Sequence, residues 1–295
     1  MSAGDRTAGL RFGLSLFTCD RGITVSDAAQ AAEEHGFDSF YVPEITHVPI
    51  PRATDRPATG DEEVLSDDRI LRTLDPWVVL GAAAAVTTRI RIGTSVALPL
   101  EHDPITLAKT IATLDHMSGG RVVFGVGFGA NPEELADHGI PPGKRRTVLR
   151  EYLAAMQALW TEDEAAYSGD YVRFGPSWAW PKPPQQPRPP ILVGAGGTER
   201  TFDWIAQSAD GWMTSPIEQG IDSGVKRLRE KWCAAGRSGV PRVVVLAGES
   251  EPDPGLLRHW RDLGVAEVVF PLPDADTNEA RSFMGRLTDQ LADQR

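Results

Sequence analysis

Short apolar runs alternate with longer amphipathic stretches along the whole chain of 295 residues. The runs are rich in Val, Ile, Leu and Phe and lack apolar–polar alternation, which is typical of parallel strands buried on both faces. Eight such runs occur, at Arg11–Phe17, Asp38–Pro43, Arg89–Leu98, Arg121–Gly127, Pro190–Ala195, Asp210–Thr214, Arg242–Ala247 and Ala266–Pro271.

The stretches between the runs carry the end signals of helices. Asp75–Pro76 and Asp103–Pro104 each place an N-cap residue directly before a proline at the first helical position. Further helices are predicted at Glu199–Ser208, Ile221–Gly236, Pro254–Leu263 and Asn278–Ala292. Eight strand–helix units without a large shift in composition predict one α/β domain over residues 1–295, a (β/α)8 TIM barrel, with a doubly wound open sheet as the alternative.

Two connections are unusually long: Glu44–Leu74 after the second strand and Tyr167–Pro189 before the fifth. Loops of this length in a compact domain are usually lids or binding loops. The first follows a strand directly, so it is expected at the C-terminal face of the barrel, where TIM-barrel active sites lie. In the second, Trp178 and Trp180 are candidates to line a substrate pocket or to act as packing anchors.

The composition narrows the class of partner. A formal net charge of −11 argues against binding to nucleic acid or to an anionic membrane surface, because like charges repel. No run approaches the ~20 apolar residues of a membrane span. Cys19 and Cys233 are too few for a disulfide framework or a cysteine zinc site, which favours a reducing, cytoplasmic location. A small-molecule substrate is therefore expected.

Polar residues follow the second and third predicted strands. Glu44 and His47 lie just beyond strand two and could act as acid, base or cofactor partner, or could simply hold the turn. Ser95 and Val96, within the small-residue segment Gly93–Ala97, indicate a bulge or a close approach to a ligand, or else a layer of small residues in the barrel. The other histidines are interpreted as surface or packing residues: His35, His102, His116, His138 and His259.

Two glycine-rich segments stand at later strand ends. Gly127, Gly129 and Asn131 end the fourth strand, where alternating glycines leave room for a flat ligand or for contact between backbone and phosphate. The fifth strand runs into a helix, where free N–H groups predict an anion site, with a plain tight turn as the alternative. Its connecting residues are Gly194, Ala195, Gly196, Gly197 and Thr198. No HExxH or CxxC pattern occurs, so no metal site is predicted.

Seven segments occur in a specific order and spacing. They are Leu74-Asp-Pro-Trp77, Arg91-Ile-Gly-Thr-Ser-Val96, Thr113-Leu-Asp-His-Met-Ser-Gly-Gly-Arg121, Phe124–Gly129, Trp180-Pro-Lys-Pro183, Pro189-Pro-Ile-Leu-Val-Gly194 and Ala209-Asp-Gly-Trp212. Together they resemble the coenzyme F420 (deazaflavin)-dependent branch of the luciferase-like monooxygenase superfamily. The likeness covers nearly the whole chain.

This resemblance implies a barrel with the deazaflavin ring at the C-terminal ends of the strands and a non-proline cis peptide at Ser95–Val96 behind it. It also implies that Gly194–Thr198 hold the cofactor phosphate and that Gly127–Asn131 flank the ring or its tail. Ser15, at the end of the first strand, is a further candidate for cofactor binding. A homodimer is implied as well.

The expected activity is hydride transfer between coenzyme F420 and a small organic substrate, for example the reduction of an activated C=C or C=N bond. One alternative is a monooxygenase that uses FMN reduced by a partner reductase, and another is a non-catalytic cofactor-binding protein. Two departures bear on the choice of substrate and residues. Ile45 stands where relatives usually carry histidine, and Ala130 stands where the sugar-phosphate-oxidising relatives carry glutamate.

Overall fold

The computed structural model describes residues 9–50, 68–216, 220–248, 251–273 and 275–294. Its strands are β1 (Arg11–Ser15), β2 (Ser39–Val42), β3 (Arg91–Thr94), β4 (Val122–Val126), β5 (Ala165–Ser168), β6 (Arg173–Ser177), β7 (Ile191–Gly194), β8 (Gly211–Thr214), β9 (Arg242–Leu246) and β10 (Glu267–Pro271). Eight of them are parallel and close into a barrel in the order β1-β10-β9-β8-β7-β4-β3-β2, and β5 pairs with β6 outside it. The predicted TIM barrel is confirmed, and the open sheet is excluded.

The helices surround the barrel. In the described segments they are α1 (Val25–Glu34), α2 (Pro76–Val86), α3 (Pro104–Ser118), α4 (Pro132–Asp137), α5 (Arg145–Thr161), α6 (Glu199–Ser208), α7 (Ile221–Ala234), α8 (Pro254–Leu263) and α9 (Thr277–Leu291). The predicted caps are formed, because Asp75 accepts the N–H of Val78 at 2.9 Å and Asp103 accepts that of Thr106 at 2.8 Å. No helix in the described segments has the length and apolar character needed to cross a membrane.

Alternate residues of each barrel strand face opposite sides. One set forms a small cluster inside the barrel: Tyr41, Val123, Leu192, Met213, Val244 and Val269. The neighbouring residues of the same strands, such as Phe12, Phe124 and Val268, belong to the larger cluster that packs under the helices. Burial on both faces explains why the strands appear in the sequence as continuous apolar runs.

The N-terminal end of the barrel contains a buried ion pair. Glu267 accepts hydrogen bonds from the Ser39 hydroxyl and from the Arg242 guanidinium. Burial alone would raise the pKa of Glu267, but the charges and hydrogen bonds of these partners outweigh it and keep that pKa below its ordinary value. This end of the barrel is therefore filled by a structural network, and the opposite end is left for a ligand.

The first long connection, Glu44–Leu74, is described only near its ends, because residues 51–67 lie outside the described segments. Its last part returns to the C-terminal face, where Leu74 donates its N–H to Thr18 O at 2.9 Å and Arg72 forms an ion pair with Asp20. Thr18 and Asp20 follow β1, so this connection reaches the expected face.

The second long connection, Tyr167–Pro189, is not the irregular loop that the sequence suggests. It contains most of the antiparallel hairpin of β5 and β6, whose turn is held by Glu151: its carboxylate accepts the N–H groups of Asp170, Tyr171 and Val172. Trp178 and Trp180 were left open between lining a substrate pocket and acting as packing anchors, and the structure places them away from the barrel mouth. They are 80% and 57% exposed, and Trp178 lies in a groove against α3 and α5 on the outside of the barrel.

Candidate active site

The peptide bond Ser95–Val96, directly after β3, is cis, as the resemblance implied. The chain then turns back beside β4: Ala97 donates its N–H to Gly125 O at 2.8 Å and accepts from the N–H of Gly127 at 2.8 Å. The result is a bulge at the C-terminal rim of the barrel, formed by Ser95–Ala97.

The side chain of Val96 lies between the ends of two neighbouring strands. A Cβ atom on Gly127 would come within 2.7 Å of Val96 Cγ2, and one on Gly194 within 2.5 Å of Val96 Cγ1. Both distances are far below van der Waals contact, so only glycine fits at either position. These two predicted cofactor-binding glycines are therefore required by the packing of the bulge itself, and their contact with a cofactor stays a prediction.

Glu44 connects the loop after β2 to both sides of this bulge. Its backbone N–H donates to Val96 O at 3.2 Å, and its carboxylate accepts the N–H of Leu98. The other carboxylate oxygen lies 2.7 Å from His102 Nε2. The side chain is buried, and both of its oxygens are occupied. In this structure each carboxylate oxygen of Glu44 has one hydrogen-bond partner and the side chain positions the bulge, while its acid–base role stays a prediction.

His102, interpreted from the sequence as a surface or packing residue, is largely buried and packs against Glu44 in this region. Burial favours the neutral imidazole, but the hydrogen bond and the negative charge of Glu44 outweigh that effect, so the pKa of His102 is raised. The hydrogen bond ties the loops after β2 and β3 together, and it is an ion pair when His102 is protonated.

A second set of polar groups centres on the hydroxyl of Thr46. Its Oγ1 donates to Glu101 Oε2 at 2.8 Å and lies 3.0 Å from His47 Nδ1 and 3.1 Å from His138 Nε2. His47 Nε2 in turn lies 3.1 Å from Asp137 at the exposed edge. We name these residues, Thr46, His47, Glu101, Asp137 and His138, the Thr46 network. His138 was expected to be a surface or packing residue, and it is exposed as expected, with its ring in contact with Thr46.

Two carboxylic acids in this region are buried. Burial, with the nearby charges of Glu134 and Glu44, raises the pKa of Glu101 from 4.5 to about 7, although the Thr46 hydroxyl opposes the shift. Burial also raises the pKa of Glu134. In each residue Oε1 is buried without a hydrogen-bond partner among the described atoms. Sequence reasoning missed both acids, because a glutamate near a helix start ordinarily indicates a favourable helix end.

The loop from β7 into α6 has the geometry expected of an anion site. Thr198 is the N-cap of α6 and accepts the N–H of Thr201 at 3.2 Å. Beneath the loop, Trp212 Nε1 donates to Ala195 O at 2.7 Å. A Cβ on Gly197 would lie 3.2 Å from the Trp212 ring, so the ring packs directly against the backbone of the loop. The N–H of Thr201 is satisfied by this cap, and the N–H groups of Glu199 and Arg200 at the start of α6 are available to a ligand.

Three arginines lie near one another at the start of α6, and sequence reasoning did not find them: Arg146 donates to Thr201 Oγ1 at 3.4 Å, and Arg200 is on α6. The Arg146 guanidinium lies 4.3 Å above the Phe128 ring, and Arg145 donates to Gly129 O at 3.2 Å. Burial lowers the pKa of Arg146, and so do the positive charges of Arg200 and Arg145. None of these three arginines has an ion pair within the described segments. Such a cluster in a chain of net charge −11 is the local basic signal of an anion site.

The remaining predicted residues are placed as follows. Asn131 is the N-cap of α4, and its side-chain oxygen accepts the N–H of Glu133 at 2.9 Å. Gly129 adopts φ +71°, and a Cβ there would meet Leu135 at 2.9 Å. Ser15, at the end of β1, lines a separate cavity between β1, β10 and α9, and its contact with a cofactor stays a prediction. The described residues contain no group of three His, Cys, Asp or Glu side chains arranged to bind a metal ion.

The parallel barrel has a cis-peptide bulge after β3 and a glycine-rich loop, Gly194–Thr198, after β7. We name this loop the anion loop. A barrel with these two features is expected to bind a cofactor at its mouth. The chain belongs to the luciferase-like monooxygenase family, whose model matches residues 21–249. It is 60% identical over 283 residues to an uncharacterized protein of Mycobacterium tuberculosis, covering 96% of this chain and 99% of that protein. It is also 30% identical to the F420-dependent glucose-6-phosphate dehydrogenase of Segniliparus rotundus, over 83% of this chain and 71% of that enzyme.

Solved structures share the fold at low sequence identity. A monooxygenase from Streptomyces bottropensis superposes with a TM-score of 0.77 at 20% identity, covering 96% of this chain and 99% of that one. An F420-dependent secondary alcohol dehydrogenase in complex with an F420-acetone adduct superposes with a TM-score of 0.73 at 18% identity, covering 98% and 100%. At these identities the likeness supports the fold alone.

Proposed function

We propose that the protein is a coenzyme F420-dependent oxidoreductase that transfers a hydride between the deazaflavin and a small organic substrate. The observation that carries the proposal is the cluster of Arg145, Arg146 and Arg200 beside the anion loop. FMN carries one phosphate group, whereas F420 carries a phosphodiester followed by several carboxylates. Three arginines without acidic partners match the second charge pattern better. Similarity to an F420-dependent dehydrogenase supports the same choice.

The residues present fit such a cofactor. The N–H groups of Gly194–Thr198 and the guanidinium groups would hold its phosphate, and the bulge at Ser95–Val96 would support its ring. When bound, the deazaflavin supplies a ring carbon that accepts or gives a hydride. Glu44 and His102 keep the bulge in place. Preorganisation of this kind lowers the entropic cost of reaching the reacting geometry.

Hydride transfer to or from an alcohol, C=C or C=N group also requires a proton to be taken up or released. Glu101 can hold a proton near neutral pH, and the Thr46 hydroxyl connects it to His47 at the exposed edge. His47 is therefore the better placed of the two predicted acid–base residues, because it reaches solvent while Glu44 does not.

The test is a cofactor titration that follows ring fluorescence with F420 and with FMN in separate experiments. Tight binding of F420 and weak binding of FMN is the expected result. A preference for FMN would replace the proposal by the monooxygenase reaction with a partner reductase. If F420 binds but no alcohol, activated alkene or imine is turned over, the protein is a non-catalytic cofactor carrier.

We propose further that the protein is a homodimer. Ile105 and Trp178 line an outer groove of about 310 Å³ beside α3 and α5, and the neighbouring Trp180 is also exposed. Large exposed apolar side chains are common at subunit interfaces. Light scattering should give twice the mass of the chain, and Trp178→Asp should give a monomer. A monomeric wild-type protein would contradict this proposal.

A further inference from the structure

A cavity of about 700 Å³ lies between the ends of β1 and β10, the segment after β9, and α9. We name it the β1–α9 cavity. Its volume is within the range of pockets that enclose drug-sized ligands. Most of its wall is apolar and is formed by Phe17, Ile70, Phe270, Leu272, Phe283 and Leu287. The bulge, the Thr46 network and the anion loop contribute no residue to this wall.

One end of the cavity opens at the barrel mouth. Ser15 pairs in register with Tyr41 on one side and with Pro271 on the other. The Tyr41 side chain belongs to the cluster inside the barrel, so Ser15 and Pro271 also face the barrel axis at its C-terminal rim. Both residues line the cavity. The cavity therefore begins in the same mouth as the bulge, with β2 between β1 and the strand β3 that leads into the bulge.

The wall of the cavity also includes arginine side chains. Arg286 on α9 lines it and has no ion pair within the described segments. Arg69 lines it as well, and among the described lining residues Glu251 is the acidic one. Arg281, on the same helix, is different, because it pairs with Glu34 at 2.7 Å and does not line the cavity. The described wall is thus apolar over most of its surface and includes the guanidinium of Arg286, which has no ion pair within the described segments.

We propose that the β1–α9 cavity binds an organic acid with an apolar body, with its anionic group held by Arg286 and its body against Phe283 and Leu287. An unpaired guanidinium beside an apolar wall has the two properties that recognise such a molecule: a fork of donors for a carboxylate and a surface that excludes water. This inference rests on the proposed function in that the bound acid would be the substrate, whose other end reaches the mouth at Ser15.

The test uses decanoate as the probe, with decan-1-ol and decylamine as molecules of the same body and different charge. Isothermal titration calorimetry on the full chain should show decanoate binding at least about tenfold more tightly than decylamine. Arg286→Gln should remove this preference, and Arg281→Gln is the matched control that should retain it. Phe283→Ala should weaken decanoate and decan-1-ol by a similar factor, because it removes apolar contact and no charge.

Each contrary result has a definite meaning. Equal affinity for the acid and the amine, no binding of any of the three probes, or the same effect from Arg281→Gln as from Arg286→Gln would overturn the inference. The same proteins are titrated with F420. If F420 binds to wild type and to Arg286→Gln alike while decanoate binds to neither, this inference fails and the proposed cofactor stands. If decanoate shows the expected pattern and F420 does not bind, the cofactor proposal fails and the cavity assignment stands.

Discussion

The Oε1 atom of Glu44 lies 2.7 Å from Nε2 of His102, in a pair that is largely buried beneath the bulge after β3. Breaking one side of a buried pair leaves the other charge without a partner. We expect Glu44→Ala to lower the free energy of unfolding by about 3 kcal/mol, and to lower turnover by about 10²-fold or more because the bulge loses its support. Urea denaturation and steady-state kinetics measure the two effects.

The control for this change is His116→Ala, which removes an exposed histidine that contacts the Lys182 carbonyl outside the site. We expect it to alter both quantities little. His102→Ala should behave like Glu44→Ala. A Glu44→Ala protein as stable and as active as the wild type would reduce Glu44 to an ordinary loop residue.

The raised pKa of Glu101 predicts a specific dependence of stability on pH. The folded protein holds the proton of Glu101 up to about pH 7, whereas the unfolded chain releases it near pH 4.5. This contribution is therefore complete below pH 4.5 and is lost as the pH rises to 7. Glu101→Gln keeps the shape without the charge. We therefore expect its free energy of unfolding to match that of wild type at pH 4.5 and to exceed it by about 3 kcal/mol at pH 8.

Chemical denaturation at a series of pH values measures this difference. His102 also has a raised pKa, so its contribution falls in the same direction as the pH rises, through a range that begins at its ordinary value of 6.5. Comparison of Glu101→Gln with the double variant Glu101→Gln, His102→Gln separates the two groups. A wild-type curve that is flat between pH 4.5 and 8 would disprove the assignment for Glu101.

The arginine cluster predicts that these residues contribute to binding of the phosphate and tail of the cofactor and not to binding of its ring. Arg146→Gln should weaken F420 binding by about tenfold, because one charged hydrogen bond to an anion is lost. The same substitution should leave unchanged the binding of the deazaflavin ring that lacks phosphate and tail. Arg258→Gln, at an exposed arginine on α8, is the control. Fluorescence titration at two salt concentrations measures these affinities, and equal losses for both ligands would contradict the assignment.

The contact between Val96 and Gly194 predicts a compensating pair of substitutions. Gly194→Ala places a Cβ within 2.5 Å of Val96 Cγ1, so the bulge or the strand end must shift. We expect a loss of about 2 kcal/mol in stability from this overpacking, and recovery of most of it in the double variant Gly194→Ala, Val96→Ala. Thermal and urea unfolding measure both. If the losses of the two single variants simply add, the two residues do not share the contact described.

Much of the fold could be predicted because its signals are local. Continuous apolar runs predicted the eight barrel strands, and Asp75 and Asp103 before prolines predicted two helix starts. The hairpin of β5 and β6 was missed because its strands are short and largely exposed, and because the Glu151 side chain that holds its turn lies on α5. The sequence of the hairpin has no periodic pattern that could predict its contact with Glu151.

The candidate site was predicted in outline and missed in its polar partners. The bulge at Ser95–Val96 and the anion loop follow from small residues at strand ends and from the family likeness. Only the three-dimensional structure identified His102, Glu101 and Arg146 as candidates. Each of them interacts with groups that are distant in the sequence or that no sequence pattern connects to it. His102 is 58 residues from Glu44, and nothing near it in the sequence distinguishes it from an ordinary surface histidine.

The Thr46 hydroxyl has a consequence for how this sequence can vary. One oxygen atom contacts Glu101 after β3 and His138 after β4, while Thr46 itself follows β2. Three loops are thus joined through a single atom that both donates and accepts. Valine has the shape of threonine but cannot form any of these contacts, whereas serine retains all of them. Position 46 therefore requires a hydroxyl group and tolerates a change in side-chain shape. The barrel interior has the opposite requirement, because it depends on side-chain shape and not on a polar group.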